Sequence, residues 1–224
     1  MVPERIGLVT IGQSPRDDIV PGFLHGLGGP AELIQAGALD DLDGDRVAAL
    51  APRPGNEVLV TRMRDGHPVT VGREGLVPLL RAAIGKVERA KPALIVVLCT
   101  GTFPELQAGV PLLEPDRLLR ELIHGILPSG RLGVIIPLPG QVARASERWS
   151  RDWLVSVRPA LPYGPEAQID EAARDLRGFE PDLVVLDCLG FTPADGLRAR
   201  GILHRPVLVP QTILGRVAAD IVGM

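Results

Sequence analysis

Short, unbroken apolar runs recur along the chain, bounded by proline, glycine and polar clusters, with segments of helical periodicity between them. The clearest runs are Arg5–Ile11, Ala93–Leu98, Leu132–Ile136, Leu183–Leu186 and Val207–Val209. Hydrophobicity that is continuous rather than alternating is how strands buried on both faces read. Gly75–Arg89 and Glu166–Leu176 instead carry apolar residues at helical spacing. The alternation predicts an α/β protein with parallel sheets flanked by helices. One segment departs from it. In Glu57–Val71 the pair Asp65-Gly66 lies between two β-prone runs and predicts a hairpin. No linker rich in glycine and serine interrupts the pattern.

Two of the runs belong to a repeat. Lys91-Pro-Ala-Leu-Ile-Val-Val-Leu-Cys99-Thr-Gly101 lies over Glu180-Pro-Asp-Leu-Val-Val-Leu-Asp-Cys188-Leu-Gly190, and cysteine follows proline by 7 positions in both. Each proline ends a helix, each apolar run is a buried strand, and each cysteine falls at the strand's carboxyl end. A helix-start signal is expected after each: Thr102-Phe-Pro-Glu105 and Thr192-Pro-Ala-Asp195 both pair a cap with an acid three residues on. A third copy of the layout, without cysteine, runs from Ile6–Ile11 into Ser14-Pro15-Arg16-Asp17, with Ser14 as the expected cap.

Composition narrows the possibilities. The 224 residues are 46% hydrophobic and 23% charged with a net charge of −3, enough for a large core and too acidic for a protein built to neutralise phosphates. No apolar run approaches bilayer length. The first one is too short for a signal peptide and follows Glu4-Arg5, so a cytoplasmic protein is expected. The expected partners are a small carboxylate ligand, no nucleic acid and no membrane; the oligomeric state stays open, a homodimer among the arrangements. In such a compartment the 2 cysteines are no disulfide framework. Nor do they form zinc-ligand spacing with His25, His67, His124 and His204, so no metal is expected.

Ligands of open parallel sheets sit beyond the carboxyl ends of the strands. Cys99 and Cys188 are placed there, each expected just before a helix N-terminus, a setting that favours thiolate and can lower a cysteine pKa from about 8.5 toward neutrality. If the two halves of the chain face each other, two thiols would line opposite walls of one crevice. That suggests a reaction in which one thiolate removes the proton beside a carboxylate and the other thiol reprotonates the opposite face, with no cofactor. A pyridoxal route would need a Schiff-base lysine, and Lys86 and Lys91 fall in and at the end of a helix pattern. The plain alternative is that both cysteines pack as small hydrophobes. Arg16, expected in the first turn of its helix, would clamp a carboxylate, or else be solvated beside Asp17 and Asp18. Gln13, Ser14, Thr100, Gly101, Thr102 and Gly190 complete the candidate binding set, with capping the competing role for Ser14 and Thr102. Asp187 should point away from Cys188 by strand alternation and is assigned a structural role.

At these residues the chain resembles the AroM family, within the broader aspartate/glutamate racemase superfamily. The resemblance is carried by Thr10-Ile-Gly-Gln-Ser-Pro-Arg16, Cys99-Thr-Gly-Thr102, Leu112-Leu-Glu-Pro115 and Leu186-Asp-Cys-Leu-Gly-Phe191, and spans nearly the whole chain. It implies two similar α/β lobes related by a pseudo-twofold, with an active-site cleft between them to which each lobe gives one cysteine. The expected lobes are residues 1–112, with a C-terminal helix at 211–224 packing back on them, and 113–210. Superfamily racemases usually follow the first cysteine with Asn-Thr, where this chain has Thr100-Gly101. After the second they usually carry Thr or Gly and then His, where this chain has Leu189-Gly190-Phe191. The resemblance implies a cofactor-independent racemase or isomerase of an amino acid or related carboxylate. Two alternatives stand beside it: a single-thiol isomerase or decarboxylase, and a non-catalytic carboxylate-binding or regulatory module linked to aromatic amino-acid metabolism.

Overall fold

A computed structural model describes residues 4–104 and 106–224 of the chain. They divide into two compact units, Met1–Asp116 with Leu214–Met224, and Arg117–Ile213, the divisions falling inside two helices.

The first unit carries a parallel sheet of β1 (Arg5–Thr10), β2 (Glu32–Gly37), β5 (Leu94–Leu98) and β6 (Leu112–Leu113) in the order β2-β1-β5-β6. Helix α1 (Val20–Leu27) and the short α2 (Gly44–Ala48) flank β2 in sequence. The expected hairpin is present as β3 (Val58–Arg62) and β4 (Pro68–Gly72), antiparallel and separate from the main sheet. It leads into α3 (Arg73–Glu88), whose Leu76, Leu80, Ile84 and Val87 repeat at helical spacing and pack with Val9, Ile95 and Val97 of the sheet.

The second unit repeats the arrangement. Its strands β7 (Arg131–Ile136), β8 (Leu154–Pro159), β9 (Leu183–Leu186) and β10 (Val207–Leu208) are parallel in the order β8-β7-β9-β10. In both sheets the first and third strands in chain order are the central pair. Both faces are covered: Ile135, Val184 and Leu186 meet α6 (Ala167–Arg177) and α7 (Pro193–Leu203), while Val134, Ile136 and Val185 meet α4 (Pro115–Ile126) and α5 (Val142–Trp149). Strict alternation between two buried faces explains why these strands read as continuous apolar runs. The molecule is thus an α/β protein of two lobes, each with a parallel sheet flanked by helices.

The repeat extends to the backbone. Lys91 and Glu180, each before its proline, adopt left-handed φ of 52° and 51°. Their amides donate to the carbonyls of Glu88 and Arg177, so both prolines follow the same helix stop.

The helix after the repeated strand is where the copies part. Thr192 caps α7 as expected, in a reciprocal box with Asp195. Thr102 caps nothing: the described residues between Cys99 and Pro111 form no helix, and its hydroxyl donates to Asp116 at 2.7 Å. Pro104, Gly109 and Pro111 deny that stretch a helical run; Glu105, the other half of the expected box, lies outside the described residues. Ser14 is likewise no cap. Its amide and hydroxyl both donate to the Asp40 carboxylate, the Ser14–Pro15 peptide is cis, and α1 begins only at Val20. The last helix, α8 (Pro210–Val222), returns to the first unit at Gly215, where a Cβ would stand 2.1 Å from the carbonyl oxygen of Phe23 in α1. Among the described residues no helix is long and apolar enough to cross a membrane.

Candidate active site

Each sheet changes direction between its central strands: the chain leaves β1 toward β2 on one side and returns through β5 on the other, as it does at β7 and β9. Carboxyl ends at such a point are where open α/β sheets hold ligands. The two cysteines of the chain are the residues that follow β5 and nearly follow β9.

Thr10 of β1 is level with Leu98 of β5, so Cys99 begins the loop beyond the sheet. It is half-buried, continues the Ile95–Val97 face, and accepts the amide N–H of Gly101 on Sγ at 3.3 Å. In the second unit Cys188 continues the Val184–Leu186 face, is half-buried, and accepts the Gly190 N–H at 3.3 Å. Each sulfur thus takes the same contact, from the N–H two residues on. A backbone N–H aimed at sulfur is a contact that a thiolate accepts more strongly than a thiol. Asp187 does point to the opposite face, where its carboxylate accepts from the Trp149 indole at 2.9 Å and from Arg148. It takes no part in the Cys188 surroundings.

The two settings differ beyond that shared core. Beside β1, Arg16 is 3% exposed and lies in an irregular segment rather than in the first turn of a helix. Its Nε and Nη2 donate to both oxygens of Asp18 at 2.8 Å, and Nη1 donates to the hydroxyls of Thr10 at 2.7 Å and Thr61 at 3.4 Å. The fork that would grip a ligand carboxylate is therefore engaged by Asp18. Burial pushes the Asp18 carboxyl up, but the Arg16 hydrogen bonds and charge outweigh it and hold the group below its ordinary value of 3.8.

The hairpin is part of this same setting. Gln13 donates its amide to the Arg62 carbonyl at 3.2 Å and accepts the Arg64 amide on its side chain at 3.0 Å. Arg64 also donates to the Ser14 carbonyl at 2.7 Å. A Cβ on Gly12 would meet the Arg62 carbonyl at 2.3 Å, and one on Gly101 would meet Leu59 at 3.0 Å. The hairpin thus covers the ends of β1 and β5, and glycine is required where it comes closest. Thr100 is buried in the same loop; Thr102 is exposed and turned toward Asp116. Gln13, Ser14 and Arg16 are gathered beyond β1 with the hairpin, Thr100 and Gly101 follow Cys99 in its loop, Thr102 is held at the loop's outer side, and Gly190 stands with Cys188.

Three participants were not visible in the local pattern. Thr61 and Asp40 enter through side-chain contacts. Tyr163 enters through its approach to Gly190, where a Cβ would stand 2.8 Å from the phenol oxygen. The Asp65-Gly66 turn was the one signal that could have led to Thr61. Expected helix support also differs between the two thiols: α7 follows Cys188 through its capped Thr192, but among the described residues no helix follows Cys99 before α4. Among the described residues no group of three or more His, Cys, Asp or Glu side chains could hold a metal ion.

The fold is shared with several solved structures. One is the maleate isomerase Iso from Pseudomonas putida S16, at 12% identity and a TM-score of 0.66, over 99% of this chain and 93% of that one. Another is unliganded arylmalonate decarboxylase, at 13% identity and 0.60, over 97% and 91%. A third is glutamate racemase from Francisella tularensis subsp. tularensis SCHU S4 in complex with D-glutamate, at 12% identity and 0.58, over 98% and 81%. No curated protein matches the sequence. At such identities these likenesses establish the two-lobed fold of the aspartate/glutamate racemases, within which racemases, isomerases and a decarboxylase occur. A family profile described as AroM protein aligns with residues 6–222, from the first residues of β1 to the end of α8, and by that match the chain belongs to the AroM family.

Proposed function

We propose that this protein is a cofactor-independent isomerase of the racemase type, acting on a small carboxylate with Cys99 and Cys188 as its acid/base pair. The observation that supports the reading is the equivalence of the two thiols. Each lies at the carboxyl end of the third strand of its sheet, half-buried, with the N–H two residues on directed at sulfur at 3.3 Å. The repeated backbone turns the same N–H inward in both copies, and a cysteine stands in each to receive it. In the reaction one thiolate takes the proton from the carbon beside the carboxylate, an S–H bond forming as the C–H bond breaks. The other thiol then gives its proton to the opposite face, and the two sulfurs end with their protonation states exchanged. Thiols titrating near the working pH suit both halves of that cycle.

Alkylation of the native protein across pH, with Cys99 and Cys188 followed separately by mass spectrometry, tests the thiols without a substrate. Both are expected to react with apparent pKa values below about 8.5. A screen of small carboxylates in heavy water then looks for deuterium at the carbon beside the carboxylate, with C99A and C188A as controls. If both cysteines stay inert until the protein unfolds, the reading is wrong.

The difference between the two settings favours one other reading, a single-thiol isomerase or decarboxylase. Cys188 is followed by a capped helix, whereas among the described residues no helix follows Cys99 before α4. Under that reading one alanine variant keeps full activity.

A further inference from the structure

Gln211, in the first turn of α8, is fully buried, and its Nε2 donates to the carbonyl of Leu189 at 2.7 Å. That partner settles which end of the amide is nitrogen, because a carbonyl accepts only from the NH₂. The Oε1 then lies buried with no hydrogen-bond partner among the described residues. An orphaned buried acceptor destabilises, whereas a leucine would fill the same space without one. Packing alone therefore does not account for an amide here; its donor does.

What the donor holds is specific. The Leu189 carbonyl and the Gly190 N–H are opposite ends of one planar peptide unit. The Gly190 N–H is the group directed at Cys188 Sγ. Residues 188–191 form a tight turn, with the Phe191 amide donating to the Cys188 carbonyl at 3.3 Å, and a peptide beside glycine in such a turn rotates at little steric cost. We infer that Gln211 is a positioning residue for the Cys188 thiol, locking the Leu189–Gly190 peptide so that its N–H faces sulfur. The contact joins α8 to the strand-end turn across 22 positions of sequence. It acts through the peptide and not on a ligand. The inference rests on Cys188 being a functional thiol.

The test is the pH dependence of alkylation in the full-length protein, using iodoacetamide and reading Cys188 and Cys99 in the same sample. Gln211→Leu removes the donor. The Cys188 profile is expected to move up by about one pH unit, with slower reaction at neutral pH, because losing a hydrogen bond to a charged group is an effect of that size. Cys99 is expected not to move. Gln211→Met, a flexible side chain of similar length without a donor, should do the same and serves if the leucine variant fails to fold. An unchanged Cys188 profile in either folded variant overturns the inference while leaving the proposed function intact, as does an equal shift of both thiols, which marks general loosening. A wild-type Cys188 that shows no activation overturns the proposed function, and this inference with it.

Discussion

Arg16 shows how a single side chain's role is settled by its neighbours. Its charge is buried and would be costly alone, yet Asp18, two residues on, supplies both oxygens of a bidentate partner. Removing that partner leaves a buried guanidinium without its counter-charge. Asp18→Asn is accordingly expected to destabilise the protein by about 3 kcal/mol at neutral pH, read as a drop in the urea midpoint. The pair also has a pH signature. Because the folded carboxyl is held below 3.8, the unfolded chain takes up the proton first as pH falls. The stabilisation is therefore complete above about pH 4 and lost as pH falls further through the folded value. Wild type should lose more stability than Asp18→Asn over that acid range; parallel curves would rule the pair out as the cause. An arginine followed closely by aspartates was legible in the sequence. That one of them would occupy the guanidinium fork was not, since solvent, a ligand or Asp17 could equally have met it.

Elements carry the next level of meaning, and the hairpin is the clearest case. Its existence followed from Asp65-Gly66 between β-prone runs, and β3 and β4 pair as that pattern predicts. Its seat over the ends of β1 and β5 depends on close backbone approach at Gly12. Gly12→Ala would drive a methyl into the Arg62 carbonyl and the Thr61 hydroxyl, at 2.3 and 2.4 Å. A cost of about 2 kcal/mol is expected, with the hairpin displaced. Alkylation of Cys99 should then change while that of Cys188 does not; equal changes at both would show that the hairpin is no part of the first thiol's surroundings. The cap signals teach the complementary lesson. Three stretches look like helix starts, yet only Thr192 caps, because only there does a helix begin directly after the hydroxyl; Ser14 and Thr102 donate to Asp40 and Asp116 instead. A capping motif states what a side chain can do locally, and whether a helix starts beside it is decided by the surrounding fold.

Across the whole molecule the chain builds one topology twice and then sends its last helix back to the first unit. That return is built on Gly215, whose missing side chain lets α8 touch the backbone of α1. Gly215→Ala is expected to cost more than about 2 kcal/mol, since backbone on both sides leaves nothing flexible to yield. Hydrogen exchange should rise in α1 and β1 and stay unchanged in β7 and β9; a uniform rise would mean that the two units unfold together. The sequence by itself determined β1, β5, β7, β9, β10 and the hairpin, the parallel α/β class, the twofold repeat and the matched thiols, but not β2, β6 and β8, which carry polar residues or are too short to stand out. Burial on both faces writes a continuous apolar run into each central strand, and a proline after a left-handed residue marks the same helix stop in both copies. Only the tertiary structure decided which acid Arg16 meets, where the hairpin sits, and that Gln211 holds the peptide beside Cys188. Those contacts join residues up to 51 positions apart. They follow from how surfaces pack in three dimensions, which leaves no periodicity along the chain to read.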